Sequence, residues 1–467
     1  MFANCLRRGI PCAKQQIRHL NASHSVRQSI VEESQVIMQK NSEEDDLDEP
    51  FVRRSGMAEM GWTQLGLSKL PEHIEKHINQ IAKGNINAAV RKASDMIHLS
   101  AMSSLQKYKF KDAVERAKEK GISNVPDSEH YLRYTEADCL AYVVGRMHIT
   151  YAAVEFALAE LKQRAPDFSP ASIMDYGCGP GTAIWASKKT WPESLNEAMA
   201  VDLSQQMLDF CDRFQRLADL KMSKWTMQRH LTSSGRYDLV TCAFALSELK
   251  SDENRRDVVA RLWKMTSDVL VLVDRGTPRG FSHIAAARQQ ILDLSKEGSL
   301  HIVAPCPHEK KCPVADHKQW CHFSQRAYRN KSTRILNTNI KENHQDSKFS
   351  YVVIRKKPRP TMPQISLEML ERPLSELSTS EVEALRLQTY HWPRIVLPPL
   401  KRKKHVILDV CSPNGLLERS SVTKSRSKMI YKDGRKTKWG NLWPHEHQTK
   451  VIVRGPMSSV NSEDPDQ

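Results

Sequence analysis

Apolar residues along this chain follow two rhythms, and the alternation between them predicts the fold. Between 135 and 164 they recur at helical spacing, Ala141, Val144, Ile149, Ala152, Val154 and Leu158 among them. This predicts a helix over Thr135–Arg164, ended by Pro166 and Pro170. A second helical pattern covers Ala88–Lys107, with Ile97, Ala101 and Leu105 on one face. From 172 onward short, continuous apolar runs take over: Ile173–Met174 leading into Asp175, then Ala198–Asp202, Tyr237–Ala245 and Asp268–Asp274. Helix-compatible stretches stand between or after them, Ala183–Lys189 and Gly280–Leu294 being the clearest. Such alternation predicts an α/β fold with a doubly wound parallel sheet. Further on, Phe349–Arg355 and Val406–Val410 read as strands, 365–390 contains helix-like stretches, and 331–347 reads as polar loop. Residues 300–330 show little periodicity, and no internal repeat is visible.

Composition adds a partner class. The chain of 467 residues is long enough for two to three domains, and its net charge of +16 suits a polyanion such as RNA. Between Lys401 and Gly440 there are 12 Lys or Arg against three acids, a candidate phosphate-binding stretch. The first 31 residues hold five Lys or Arg and no acid, the pattern of a mitochondrial transit peptide. The acidic run Glu43–Glu49 then begins a solvated linker. No apolar run is long enough to span a membrane.

The most informative motif lies between the first strand and its helix: Asp175-Tyr-Gly-Cys-Gly-Pro-Gly181. Glycines at 177, 179 and 181 let the backbone turn sharply and approach a ligand closely, because no Cβ intervenes. Asp175 just ahead of them can hold a hydroxyl or, through water, an ammonium group. The Gly-x-Gly-x-Gly spacing differs from the Gly-x-Gly-x-x-Gly of dinucleotide folds. It is similar to the first motif of class I S-adenosylmethionine-dependent methyltransferases. Asp202, ending the second apolar run, stands where an acid can accept both ribose hydroxyls. The candidate cofactor residues are therefore Asp175, Gly177, Gly179, Gly181 and Asp202.

Ten cysteines do not suggest a disulfide framework in a chain of this size, and three of them cluster. Cys306, Cys312 and Cys321 are spaced Cys-x5-Cys-x8-Cys, wider than the usual paired ligands of zinc fingers. Wide loops with adjacent prolines suit a larger object, an iron–sulfur cluster of four irons and four sulfides. Cys411, at the end of the last apolar run, is a candidate fourth ligand. His308, His317 and His322 are its rivals, which keeps a Cys3His zinc site open. Cys139, Cys178, Cys211 and Cys242 read as packing residues.

Taken together, Met174–Thr182, the Cys306/Cys312/Cys321-His-Phe323 set, Lys348–Tyr351 and Trp439-Gly-Asn-Leu-Trp443 resemble the methyltransferase-like family of mitochondrial small-ribosomal-subunit assembly factors. The resemblance covers roughly residues 60–450, and its most specific part is the cysteine motif. It implies a mitochondrial matrix protein that acts on the assembling small subunit and its rRNA and is monomeric away from it. It also implies a 4Fe–4S cluster on Cys306, Cys312, Cys321 and Cys411, and a class I methyltransferase-like sheet able to hold S-adenosylmethionine. Asn441 departs from the pattern, standing where an acid is common after the Trp-Gly pair.

The organisation that follows is a transit peptide and disordered linker over 1–50 and an N-terminal helical region over 51–165. A methyltransferase-like core follows over 166–300, then a cysteine-rich cluster-binding loop over 301–330. C-terminal strands with a basic RNA-binding region cover 331–450, and a disordered tail 451–467. Methyl transfer itself is poorly supported. Amino-methylating enzymes follow the fourth strand with Asn or Asp and two prolines, whereas this chain reads Thr241-Cys-Ala-Phe-Ala-Leu-Ser-Glu248. Cys242 lacks the setting of a cytosine-methylating nucleophile, and no catalytic residue is assigned. Three functions of different class follow: a non-catalytic RNA-binding assembly factor, an active rRNA methyltransferase, and a zinc-stabilised RNA-binding scaffold with an empty pocket.

Overall fold

The computed structural model describes residues 55–94, 135–217, 222–232, 234–315, 317, 319–336, 342–366, 369, 372–447 and 449–453. The expected transit peptide lies outside the described residues. So does most of the Ala88–Lys107 helix, of which residues 88–94 are helical.

In chain order the helices are α1 (Gly56–Met60), α2 (Glu72–Ala82), α3 (Glu136–Gly145), α4 (Met147–Arg164), α5 (Thr182–Thr190) and α6 (Gln205–Leu217). They continue with α7 (Asp252–Met265), α8 (Pro278–Leu294), α9 (Lys331–Leu336), α10 (Thr379–Gln388) and α11 (Lys428–Lys436). The strands are β1 (Ser172–Tyr176), β2 (Glu197–Val201), β3 (Lys224–Gln228), β4 (Tyr237–Ala243), β5 (Thr266–Arg275), β6 (His301–Ala304), β7 (Phe323–Tyr328) and β8 (His344–Arg355). Beyond them come β9 (Arg394–Ile395), β10 (Leu400–Lys401), β11 (His405–Cys411), β12 (Leu417–Thr423) and β13 (Ile452–Val453). The long pattern at 135–164 is two helices, broken at Arg146, whose φ of −125° leaves the helical region. Thr135 and Asp138 form a capping box that starts the first of them.

The main sheet runs in the order β3-β2-β1-β4-β5-β8-β6, with β7 also on β8. β1 to β5 are parallel, and β8 is antiparallel to β5, β6 and β7. An order that reverses between β1 and β4, with one antiparallel strand near the far edge, is the class I methyltransferase-like arrangement. The period of two along β5 assigns its side chains to two cores. Val269, Val271 and Val273 join the core that contains α3, α4, α5 and α6, while Leu270 and Leu272 join the core with α7 and α8.

Several elements depart from the sequence reading, among them β6 in the aperiodic 300–330 segment, β12, and β13 in the expected disordered tail. β7 runs through the aperiodic 300–330 segment, and α9 occupies part of what reads as loop. β7 does alternate, with Phe323, Gln325 and Ala327 buried, but Gln325 at an inward position hides the pattern. Its amide donates to the Gly66 carbonyl at 2.7 Å.

A second, antiparallel sheet holds β10-β11-β12-β13, with β9 on β11. Residues 55–68 form a strap that joins the two sheets. Ser55 Oγ donates to buried Asp433 at 2.6 Å, and Leu442 N donates to the Gly61 carbonyl at 2.9 Å. At the other end of the strap Ser68 N donates to Arg326 O at 2.9 Å, and Tyr328 N donates to Ser68 O at 2.8 Å. Asn441 is buried within this seam and accepts from Thr63 N and Thr63 Oγ1, each at 3.3 Å. The Asn441 side chain therefore serves the strap directly.

Candidate functional site

β1 ends at the point where the strand order reverses, and the glycine loop follows it. Ligands of open α/β sheets bind in the crevice at the carboxyl ends of strands on either side of such a point. Gly177, Gly179 and Gly181 have φ of 68°, 52° and 80°. The three are not equivalent. A Cβ on Gly177 would lie 2.4 Å from the Ala245 Cβ, and one on Gly181 would lie 2.8 Å from Cys211 Sγ. At Gly179 the nearest atom is 4.0 Å away, so only its backbone angle demands glycine.

Asp202, just past β2, reaches back to this loop. Its Oδ2 accepts from Gly179 N at 2.8 Å, and its Oδ1 accepts from Ser204 N at 2.9 Å. Burial raises its pKa despite those two bonds. Asp175 lies deeper, 1% exposed, and accepts a hydrogen bond from Thr241 Oγ1 on β4 at 2.7 Å. Burial pushes its pKa up to about 7.

The opposite lip comes from the end of β4. Phe244 adopts a left-handed φ of 62°, unusual for a residue with a Cβ, and turns the chain so that Ala245 abuts Gly177. Between the lips lies a cleft of about 580 Å³, lined by Tyr176, Gly177, Asp202, Ser204, Glu248 and Arg261 among others. That volume is typical of small-molecule sites. Leu203 and Gln205 also face it, as does Arg229, which donates from Nε and Nη2 to the Leu203 carbonyl at 3.2 and 3.1 Å. Ser204 and Glu248 gave no sequence signal beyond their closeness to the two strand ends. Cys242 is fully buried with its thiol pKa pushed up by burial, and Cys139, Cys178 and Cys211 are buried in the core.

The cysteine cavity lies where the two sheets meet. Cys306, Cys312, Cys321 and Cys411 all line one compact void of about 30 Å³. Three come from the segment that links β6 to β7, and the fourth from the end of β11, where Cys411 pairs in register with Arg394. Phe281, Ile284 and Ala285 of α8, with Val314 and Val396, give the cavity an apolar wall. Two arginines, Arg288 and Arg394, complete it. Burial raises the thiol pKa of Cys312, Cys321 and Cys411. Of the rival histidines, His308 places Nε2 3.4 Å from Cys411 Sγ, but it is not among the residues that line the cavity. His322 packs against Trp320 and Trp439. Among the described residues no group of three His, Cys, Asp or Glu is gathered closely enough to hold a single metal ion.

Arg394 ties this cavity to the core. It is 1% exposed and donates from Nε to Pro305 O at 3.0 Å and from Nη1 to Gly440 O at 2.7 Å, while its Nη2 pairs with Glu160 of α4. Glu160 also pairs with Arg164 and accepts from the Tyr351 hydroxyl. Burial would raise the Glu160 pKa, but Arg394 and Arg164 overcome it and the carboxyl is held below its ordinary value.

At the far end of β11 the basic residues gather. His405 pairs with Thr423, which brings the exposed Arg402, Lys403 and Lys404 beside the exposed Lys424, Arg426 and Lys428. Exposed Lys432 adds a further charge from α11. Trp443 lies 1% exposed in the core of this second sheet, so it packs rather than offering a face to a base. Trp439 packs near Phe323.

Residues 136–444 match the protein family described as mitochondrial small ribosomal subunit Rsm22. The human mitochondrial ribosome assembly protein METTL17 is 32% identical over 348 residues, covering 72% of this chain and 68% of the relative. The mitochondrial ribosome assembly protein RSM22 of Saccharomyces cerevisiae is 24% identical, covering 71% of each. An Rsm22-cox11 tandem protein of Schizosaccharomyces pombe is 33% identical over 70% of this chain, which spans 45% of that relative. Among solved structures, magnesium protoporphyrin IX methyltransferase from Synechocystis PCC 6803 superposes at 12% identity and a TM-score of 0.30, covering 52% of this chain and 97% of its own. So loose a superposition carries no argument, and the fold assignment rests on the strand order.

Proposed function

This chain belongs to the mitochondrial small ribosomal subunit Rsm22 family, and from that premise we propose that it is an assembly factor of the mitochondrial small ribosomal subunit. It works in the matrix, binds rRNA and supports mitochondrial translation, with the 1–50 segment serving as transit peptide and linker. Off the ribosome it is a monomer. The observation that carries this reading is the convergence of three cysteines of one loop and the remote Cys411 on one cavity that joins the core to a sheet with a basic end.

The residues present fit two groups. Four thiols around a small apolar void, with a buried arginine beside them that lacks partners on two nitrogens among the described residues, suit a thiolate-held 4Fe–4S cluster. Cys306, Cys312, Cys321 and Cys411 would hold it, which would brace the junction between the sheets. The glycine cleft suits S-adenosylmethionine, because its volume is ample and Gly177 and Asp202 line it. Asp175, Gly177, Gly179, Gly181 and Asp202 would hold that cofactor, which supplies an activated methyl group when bound. The lip of β4 offers Ala245, Glu248 and Leu249 to the cleft, with no amide and no proline pair to orient a target nitrogen. The cleft therefore reads as a ligand platform without methyl transfer, and the basic end of β11 and β12 as the rRNA contact.

Asp202→Asn tests the division of labour. It is expected to abolish S-adenosylmethionine binding in calorimetry while small-subunit assembly persists in cells that carry only the variant. Assembly lost in step with binding would favour an active rRNA methyltransferase instead. Protein purified anaerobically is expected to be brown with iron and sulfide in equal amounts; colourless protein with stoichiometric zinc would favour the zinc-stabilised scaffold.

A further inference from the structure

Among the described residues, one buried cation beside the cysteine cavity lacks a counter-charge. Arg288 on α8 is 3% exposed and lines the cavity. Its Nη2 donates to the carbonyls of His308 at 2.9 Å and Lys310 at 2.8 Å, both in the loop between Cys306 and Cys312. Among the described residues its Nε and Nη1 find no hydrogen-bond partner. Arg394, across the same cavity, shows what a compensated guanidinium looks like here, with all three nitrogens engaged and Glu160 as its counter-ion. A buried guanidinium with bare N–H groups is strongly unfavourable unless an anion completes it. Thiolates are the anions that four ligating cysteines would provide.

We propose that Arg288 is the counter-cation of the group held by Cys306, Cys312, Cys321 and Cys411, a positioning residue that shapes the Cys306–Cys312 loop through two carbonyls and sets the group's charge balance with its free N–H edge. The inference rests on the 4Fe–4S reading above. Four thiolates outweigh the positive charge of such a core, so the loaded site is anionic, and one-electron reduction makes it more so. A fixed positive charge at the wall stabilises both states and the reduced one more. His308 acts from another side, since the tautomer with a proton on Nε2 can donate to the Cys411 thiolate across the 3.4 Å gap.

The test uses full-length protein purified anaerobically as wild type, Arg288→Gln and Arg288→Lys. Iron and sulfide are counted, the midpoint potential is read by a spectroscopically monitored redox titration, and the loss of visible absorbance under an iron chelator is timed. Arg288→Gln is expected to lose its cluster about tenfold faster than wild type and to require a more negative potential for reduction. Arg288→Lys keeps the charge and is expected to keep the wild-type potential, even where its loop is looser. If Arg288→Gln does not load at all, Arg288→Lys decides: a wild-type potential supports the counter-charge, and a negative shift overturns it. Identical lifetime and potential in wild type and Arg288→Gln overturn this inference alone. Wild-type protein that takes up neither iron nor sulfide overturns the cluster reading and this inference with it.

Discussion

The glycine cleft and the cysteine cavity sit on one fold but are built on opposite plans. The cleft is open, about 580 Å³, and its walls come from the ends of adjacent parallel strands. The cavity is about 30 Å³, and its walls come from segments a hundred residues apart in sequence. An open crevice at a strand-order reversal suits a ligand that comes and goes. A small void ringed by thiols, where two sheets meet, suits a group that stays and holds them together. The difference teaches that ligand exchange and structural bracing can be separated within one chain, and each can be broken alone.

The largest effect is expected from Cys411→Ser. It should abolish iron retention and loosen the second sheet from the first, seen as rapid proteolysis of the 357–393 connection, while the cleft still binds its ligand. Cofactor binding lost together with iron would break the comparison. Next comes Glu160→Ala, which leaves Arg394 and Arg164 buried without a counter-ion and should cost about 3–5 kcal/mol in denaturant melts at pH 7. Because the Glu160 pKa is depressed in the fold, its contribution is present above the ordinary value of 4.5 and is lost as pH falls through the folded value.

Smaller and more selective effects belong to the cleft. Gly177→Ala meets both a left-handed φ and a 2.4 Å contact, and should cost about 2–3 kcal/mol and abolish ligand binding in calorimetry. Gly179→Ala meets only the backbone angle and should cost about 1 kcal/mol. Equal losses at the two glycines would mean that the Ala245 contact is unimportant. The smallest effect is on pH. With the Asp175 pKa raised to about 7, its protonated form favours the ligand-free fold, a contribution fully present below pH 3.8 and lost as pH rises through 7. A ligand ammonium should draw on the ionised form, so affinity is expected to rise by up to about tenfold from pH 6 to pH 8. Asp175→Asn should flatten that rise.

Both plans are partly legible in the sequence: Gly177 and Asp202 line the cleft, and all four candidate cysteines line the cavity. β5 and β8 are apolar runs buried on both faces, and the glycine loop with Asp202 is contiguous with such runs, so local pattern and global position agree. Cysteine spacing marked a candidate ligand set, but nothing local tells which strand end returns to it. β12 is hidden in the sequence because polar Glu418 and Ser420 are buried in it, Glu418 pairing with Ser412 and His447. Arg288 and Arg394 were missed for a related reason. An arginine reads as surface unless its partners are known, and those partners are carbonyls and a carboxylate brought in by the fold.

The strap over 55–68 has a consequence for timing. Ser55 meets Asp433 across 378 positions, and Gly61 meets Leu442. Contacts of such separation require a long loop to close before they contribute anything. In a chain synthesised N-terminus first, residues 55–61 must wait for residues 433–442 before the seam can form. A chain stalled before residue 433, or one trimmed past Ser55, would therefore carry a main sheet with its seam unsealed.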